Sequence, residues 1–187
     1  MGVKGKLIAS VEVKCGGHLV HDIFHTKTHH ISNICPNKIQ SFEIHEGETV
    51  KVGSVVNWKY NDDGKDKISK QVIEAIDPQT KSITWKVIGG DLLELYNFFT
   101  IITSCDHQWT TWTFVYEKKT EDIPEPLVLL GFVLHVTKDI EDGKDKTSKQ
   151  VIEAADHETK TITIVDGKDK TSKQVIEAVD HETKTIT

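Results

Sequence analysis

The stretch from Trp109 to Ile140, WTTWTFVYEKKTEDIPEPLVLLGFVLHVTKDI, contains the change of pattern that decides the fold. Trp112, Phe114 and Tyr116 occupy every second position between Trp109 and Glu117, which predicts a β-strand with one buried face. Pro124 and Pro126 interrupt this alternation, and Leu127–Ile140 is almost entirely apolar, which predicts one long helix. The sequence therefore predicts a sheet that ends in a long helix.

Upstream of this stretch, the same patterns predict six further strands and two short helices. Turn signals at Asn61–Gly64 and Gly89–Asp91 separate neighbouring strands. The order of strand, two short helices, six strands and one long helix is typical of an α+β fold, with helices on one face of an antiparallel sheet. The predicted strands are Leu7–Val13, Ile39–Ile44, Val55–Tyr60, Lys67–Ile76, Ser82–Ile88 and Tyr96–Ser104, and the predicted short helices are His18–Phe24 and Lys27–Ile34.

One sequence, DGKDKxSKQVIEAxDxxTKxIT, occurs three times, at Asp63–Thr84, Asp142–Thr163 and Asp166–Thr187. The last two copies contain no Phe, Tyr or Trp and cannot bury much apolar surface alone. We therefore predict a compact domain, residues 1–141, followed by a repeat tail, residues 142–187, that is flexible or hairpin-like. Two interpretations of the tail stay open. It is a flexible extension, or it pairs with a sheet edge or exchanges with the 63–84 hairpin of its own or a neighbouring molecule.

Charge and composition exclude several classes of function. The net charge is −6 and all 23 cationic side chains are lysine, so the arginine fork that often reads nucleic acids is missing. No apolar run approaches the length of a membrane span, and the first residues lack the apolar run of a secretory signal. Three widely spaced cysteines, Cys15, Cys35 and Cys105, are typical of reduced thiols. We expect a cytoplasmic protein that binds no nucleic acid.

Short motifs follow one another in a specific order over residues 1–141. They are Gly5-Lys6-Leu7, His29-His30-Ile31, His45-Glu46-Gly47-Glu48, Trp58-Lys59-Tyr60, Gly90-Asp91, Trp112–Lys118, Glu121–Pro126 and Thr137–Ile140. In this order they resemble the plant major latex proteins, part of the birch-pollen-allergen-like group that includes the pathogenesis-related class-ten proteins. The resemblance implies a helix-grip fold, in which a curved seven-stranded antiparallel sheet wraps around the long C-terminal helix and two short helices close one end.

The resemblance also implies a large apolar cavity between sheet and helix. Family members bind steroids, phenolics, hormones or fatty acids there and are linked to plant defence and stress responses. Spacing alone fits a solid core equally well, although aromatic walls with a few polar tips suit an apolar ligand. The candidate ligand-binding residues are Val56, Trp58, Tyr60, Ile83, Trp85, Val87, Phe99, Ile101, Trp112, Phe114 and Tyr116 from the strands and Leu129, Val133 and Val136 from the helix.

The histidines do not predict a metal site. His18, His21, His25 and His29 fall at helical spacing, and His21 with His25 could bind zinc on one continuous helix. The break expected between the two short helices divides this row, and no acidic or cysteine partner completes a ligand set. We therefore expect no metal and no cofactor.

Catalytic residues are not predicted either. Cys105 and His107 are close in sequence but lack a third member of a catalytic set, and Lys86 and Glu94 are expected to point outward. We expect a protein that binds, and transports or stores, a hydrophobic small molecule and is not an enzyme. Two alternatives stay open: an enzyme of the same fold acting on a phenolic or alkaloid, and a protein–protein interaction module that forms homodimers through the tail.

Overall fold

The computed structural model describes residues 2–13, 17–25, 30–46, 49–145 and 160–166. Its strands are β1 (Val3–Glu12), β2 (Ile39–Ile44), β3 (Val55–Asp62), β4 (Lys65–Asp77), β5 (Ser82–Gly90), β6 (Tyr96–Asp106), β7 (Trp109–Lys118) and β8 (Lys160–Asp166). They form one sheet in the order β2-β3-β4-β5-β6-β7-β1-β8, in which all neighbours are antiparallel. Alternation is clearest in β7, where half-buried and buried residues follow one another throughout.

Four helices accompany the sheet: α1 (Gly17–His25), α2 (Ile31–Ile34), α3 (Leu92–Leu95) and α4 (Leu127–Asp145). The α4 helix packs on the inner face of the sheet, and its Leu130, Leu134 and Ile140 are at most 1% exposed. The predicted helix-grip architecture is therefore confirmed. Three details differ from prediction: α4 continues past Ile140, the described part of the second short helix is a single turn, and α3 was not predicted because one turn leaves no periodicity.

Local backbone features explain how the sheet turns and curves. Asp63 and Gly64, the two residues between β3 and β4, have φ angles of 53° and 75°. This is the conformation that a two-residue hairpin turn needs, and Asp-Gly tolerates it at low cost. Register shifts between Lys70 and Gln71 and between Ile73 and Ala75 interrupt the β4–β5 pairing. Such irregularities bend and twist strands, and here they help the sheet to curve around α4.

The eighth strand comes from the repeat tail. It pairs with the edge of β1 that faces away from β7, from Gly5 opposite Asp166 to Val11 opposite Lys160. The sheet thus has one strand more than the seven predicted. Of the two interpretations of the tail, pairing with a sheet edge is the one that Lys160–Asp166 follows. The predictions of flexibility and of hairpin exchange concern residues 146–159 and 167–187, which lie outside the described residues.

Candidate ligand-binding cavity

One part of the interior between the sheet and α4 is solidly filled. Phe99 stacks on Tyr116 at 5.6 Å between ring centroids with planes 18° apart, and Phe114 and Tyr96 lie 5.2 and 5.1 Å from Phe99. Gly5 lies opposite Tyr116 in the sheet, where a Cβ atom would come within 2.6 Å of the Tyr116 ring. We call these four rings the filled end.

Farther along β6 and β7 the interior contains a cavity. The space open to the centre of a water molecule is about 70 Å³, several times the ~10–15 Å³ that one buried water needs. Its surface is almost wholly apolar. The residues that line it are Phe24, Ile39, Trp58, Tyr60, Ser69, Gln71, Trp85, Leu92, Ile101, Trp112, Leu129, Phe132, Val133 and Val136.

Phe24 at the end of α1 covers this cavity. Its ring centroid lies 6.1 Å from Trp58, 6.1 Å from Trp85 and 5.5 Å from Trp112. The rings meet in tilted and edge-on arrangements, which favour attraction between ring edges and faces.

The three cavity tryptophans differ in how their indole N–H groups are used. Trp85 Nε1 donates to Thr103 Oγ1 at 3.4 Å, and Trp112 Nε1 donates to Thr137 Oγ1 at 2.9 Å. Trp58 Nε1 is buried and has no hydrogen-bond partner among the described residues. This group is the exception in the wall.

The remaining polar groups of the wall are uncharged. Ser69 and Gln71 are 3% and 6% exposed, and Gln71 Nε2 donates to Ser69 Oγ at 3.0 Å. Burial raises the pKa of the Tyr60 hydroxyl, and the negative charges of Asp62 and Asp91 raise it further. Tyr60 therefore stays protonated at neutral pH. None of the described lining residues is an acid, a lysine or a histidine, so the cavity suits a neutral molecule.

The fold and cavity can now be compared with known proteins. A family model described as "Pathogenesis-related protein Bet v 1 family" matches residues 2–142. The chain belongs to this family. MLP-like protein 43 of Arabidopsis thaliana is 38% identical over 144 residues, which cover 74% of this chain and 91% of that protein. The predicted resemblance to the major latex proteins is confirmed.

Solved structures agree with this membership of the Bet v 1 family. The crystal structure of ginseng major latex-like protein 151 from Panax ginseng matches with a TM-score of 0.72 and 42% identity, over 75% of this chain and 97% of that one. Norcoclaurine synthase from Thalictrum flavum, solved with dopamine and hydroxybenzaldehyde, matches with a TM-score of 0.61 over 75% of this chain and 86% of that one. Because its identity is 17%, that likeness shows the fold alone.

The structure divides the predicted wall of this Bet v 1 family chain into two groups. Eight of the candidates line the cavity: Trp58, Tyr60, Trp85, Ile101, Trp112, Leu129, Val133 and Val136. Six others lie in the core, at most 3% exposed and outside the lining set: Val56, Ile83, Val87, Phe99, Phe114 and Tyr116. All fourteen belong to the interior, and the packing of each ring on its neighbours decides which of them border empty space.

Sequence reasoning missed six lining residues: Phe24, Ile39, Ser69, Gln71, Leu92 and Phe132. A signal existed for Phe132, which follows Leu129 by three residues and so shares its helix face. Ser69 and Gln71 alternate inward with Ile73 along β4, but polar residues are ordinarily assigned to the solvent face. Phe24 reaches the cavity from α1, and no spacing rule places a short helix over a sheet.

The histidine and cysteine candidates do not assemble into reactive sites within the described residues. The His21 and His25 rings lie 5.2 Å apart. Burial lowers the pKa of His21, and the nearby His25 lowers it further. No group of three metal-binding side chains occurs in the described part of the chain. Cys105 is buried, which raises the pKa of its thiol, whereas the His107 side chain is 94% exposed. The side chains of His18 and His29 lie outside the described part.

Two further findings concern surface features. The Lys86 side chain is half exposed and lies 3.9 Å from Glu74, and Glu94 is exposed, so both point outward as predicted. No helix in the described ranges has both the length and the apolar character that crossing a bilayer requires.

Proposed function

We propose that the chain binds a small hydrophobic molecule in the cavity beneath α4. The observation that carries the proposal is an uncharged, apolar cavity in an interior whose neighbouring part is filled by stacked rings. Burying about 200 Å² of apolar ligand surface contributes about 5 kcal/mol at roughly 25 cal/mol per Å². A dissociation constant of 1 mM corresponds to about 4 kcal/mol, so after the cost of association this supports weak binding, in about the millimolar range.

The size of the cavity narrows the class of ligand. Pockets for drug-sized molecules measure roughly 300–1,000 Å³, and this cavity is about 70 Å³. A one-ring phenolic therefore fits with the least rearrangement. A steroid or a fatty acid needs the walls to move, and Phe24, which reaches the cavity from the short helix α1, is one lining side chain that could give way.

The wider role follows from membership of the family. Binding without chemistry suits transport or storage, and the family's description as pathogenesis-related supports a role in plant defence. We infer that this role extends to stress responses and is exercised in the cytoplasm. We infer that the chain is not an enzyme, because the described wall has no carboxylate, amine or imidazole to exchange protons with a substrate. The enzyme alternative rests on the fold shared with norcoclaurine synthase.

A matched pair of substitutions on α4 tests the proposal. Val136 lines the cavity and Val128 is 47% exposed on the same helix. Val136→Phe fills the cavity, and Val128→Phe makes the same change at the surface. Titration of the wild type with isopropylbenzene, monitored by calorimetry and by tryptophan fluorescence, should show saturable 1:1 binding. Affinity should fall at least about tenfold in Val136→Phe and stay within about twofold in Val128→Phe.

Two results would contradict the proposal. One is a wild type that takes up no isopropylbenzene at concentrations up to its solubility. The other is equally tight binding by the wild type and both phenylalanine variants, which would place the probe elsewhere.

A second candidate function, self-association through the tail, is favoured by the pairing of β8 with β1. An unpaired strand edge accepts further strands, and here Lys160–Asp166 occupies it. The sequence Lys-Thr-Ile-Thr of residues 160–163 recurs at 184–187, so each chain has one β1 edge and two segments of this sequence. We infer that the additional segment competes with β8 for the β1 edge of a second copy of the chain and displaces it, which produces homodimers.

Light scattering during size-exclusion chromatography tests this self-association. The full chain should form dimers as its concentration rises, and deletion of residues 167–187, which removes one of the two segments, should leave monomers. Dimers that persist after the deletion would contradict the inference. So would a full chain that stays monomeric at millimolar concentration.

A further inference from the structure

The three tryptophans of the cavity wall supply an internal comparison. Trp85 and Trp112 each donate their indole N–H to a threonine, Thr103 and Thr137 respectively. Trp58 lines the same cavity, and its buried Nε1 has no partner among the described residues. A buried donor without an acceptor costs free energy, so native structures rarely keep one without a reason. The fold satisfies two of these donors and leaves the third.

The three rings that pack against Trp58 supply no acceptor. Its ring packs against Phe42 at 4.2 Å, Trp85 at 6.0 Å and Phe24 at 6.1 Å. None of these side chains carries an oxygen. The ring borders the cavity while its Nε1 is buried, so a molecule that enters the cavity and shifts the ring slightly can bring the missing acceptor.

A second observation on the adjacent strand points the same way. Ser69 is the cross-strand partner of Trp58, and Gln71 follows it on the same face of β4. Both are buried in the cavity wall, where Gln71 Nε2 donates to Ser69 Oγ. A hydroxyl that accepts one hydrogen bond still has its own O–H to donate. Trp58 and Ser69 therefore place two unused donors on neighbouring strands, and no charge accompanies them in the described wall.

We propose that Trp58, Ser69 and Gln71 form a subsite for a neutral oxygen acceptor of the ligand, such as the carbonyl group of an aromatic ketone or ester. This inference rests on the proposed function and specifies the class of ligand. Surplus donors favour an acceptor over a purely apolar group. Without a cation to pair with it, a carboxylate would lose more hydration than these neutral donors replace. The ligand is thus an uncharged ring compound with one oxygen directed toward β3 and β4.

Two probes of nearly the same shape test the subsite. Acetophenone carries a carbonyl oxygen where isopropylbenzene carries a methyl group, so the ratio of their dissociation constants isolates the oxygen. Trp58→Phe removes the unused donor. Trp85→Phe makes the same substitution in the same wall at a donor that Thr103 already accepts, and it serves as the matched control.

We expect Trp58→Phe to shift the ratio about fivefold toward isopropylbenzene, the size of effect that one neutral hydrogen bond produces. Ser69→Ala should shift it in the same direction by about threefold, and Trp85→Phe by less than about twofold. In the wild type, the indole N–H resonance of Trp58 in ¹H–¹⁵N spectra should move downfield with acetophenone and much less with isopropylbenzene. This spectroscopic test uses the wild type, and Trp58→Phe is needed only to assign the Trp58 resonance.

The outcomes separate the two proposals. If neither probe binds the wild type, the proposed function fails, and the subsite fails with it. If both bind but the ratio is the same in Trp58→Phe and in the wild type, or shifts equally in Trp85→Phe, the cavity binds ligands without an oxygen subsite. An unchanged Trp58 resonance on saturation with acetophenone would also overturn the subsite.

Discussion

The filled end and the cavity occupy the same interior, share strands β6 and β7 and are both rich in aromatic rings. At the filled end, Phe99 and Tyr116 lie parallel, and glycine at position 5 leaves room for the Tyr116 ring. At the cavity, steeply crossed rings surround Phe24. The comparison teaches that an inward aromatic stripe does not distinguish a solid core from a binding site. Ring angle does not distinguish them either, because Tyr96 meets Phe99 and Tyr116 at 74° within the filled end. What differs is how closely the elements around the rings pack, as glycine opposite Tyr116 shows.

Polar groups at the ring tips differ between the two regions as well. At the filled end, the hydroxyl of Tyr116 donates to Glu125, whose carboxylate also pairs with Lys118 at 2.9 Å. The Tyr96 hydroxyl donates to the carbonyl of Pro124 at 3.1 Å. These bonds secure the segment before α4 to the sheet. At the cavity, the buried Trp58 N–H has no such partner among the described residues.

The largest effect should come from emptying the filled end. Phe99→Ala removes a ring that is 0% exposed and should lower the free energy of unfolding by about 3–5 kcal/mol, because the close packing cannot collapse around the gap. Phe98→Ala, the same change at a half-buried neighbour, is the control and should cost less than half as much. Val136→Ala at the cavity should cost about 1 kcal/mol. Urea denaturation measures all three, and similar losses for Phe99→Ala and Phe98→Ala would contradict a filled interior at Phe99.

A glycine pair gives the next largest effect. Gly5→Ala places a methyl group 2.6 Å from the buried Tyr116 ring and should destabilise the chain by about 1–3 kcal/mol. Gly131→Ala in α4 meets nothing within 4 Å and should stabilise it by about 0.5–1 kcal/mol, since alanine favours helices. Thermal unfolding measures both variants. If Gly5→Ala leaves the unfolding temperature unchanged, the rings of the filled end can shift to accept the added methyl group, and the packing there is not tight.

Alkaline pH tests how tightly the filled end encloses Tyr96. Burial, and then the charge of Glu125, raises the pKa of Tyr96 from 10.0 to about 12. The folded chain therefore keeps this proton between about pH 10 and pH 12, where the unfolded chain loses it. The associated stability is fully present below pH 10 and is lost as the pH rises to 12, by roughly 1–2 kcal/mol. The pH dependence of unfolding should be shallower in Tyr96→Phe over this window, and identical slopes would contradict an enclosed hydroxyl.

Removal of the tail should have the smallest effect on the cavity. Deleting residues 146–187 keeps all of α4 but removes β8, which pairs with β1 and does not line the cavity. We expect the affinity for isopropylbenzene to change by less than about threefold, or about 0.7 kcal/mol. A larger loss in calorimetry would show that the tail takes part in binding.

Much of the fold could be predicted from the sequence, because the strands of a half-buried sheet alternate and an amphipathic helix does not. Trp109–Glu117 and Leu127–Ile140 were placed within a few residues of β7 and α4. The end of α4 was missed because Gly143 is a typical helix stop signal, yet α4 continues through it to Asp145. Local patterns carry this information, and the confirmed family resemblance supplied the curvature and the cavity.

The site was less predictable, because a cavity is a property of packing between elements distant in sequence. Trp85 and Phe114 have the same inward alternation, yet one borders the void and the other lies in the solid core. Ser69 and Gln71 look like surface residues until β4 is seen to turn them inward. Phe24 depends on where α1 lies over the sheet, which no spacing determines.

The most direct measurement is a crystal structure of the full chain under xenon pressure, since xenon enters dry apolar cavities and marks them by its scattering. Our account predicts a xenon site bordered by Phe24, Trp58 and Val136, and none among Phe99, Phe114 and Tyr116. Two results would contradict the account: no xenon beneath α4, or xenon among Phe99, Phe114 and Tyr116. Either would show that the interior is not divided into a filled end and a cavity, and the proposed function depends on that division.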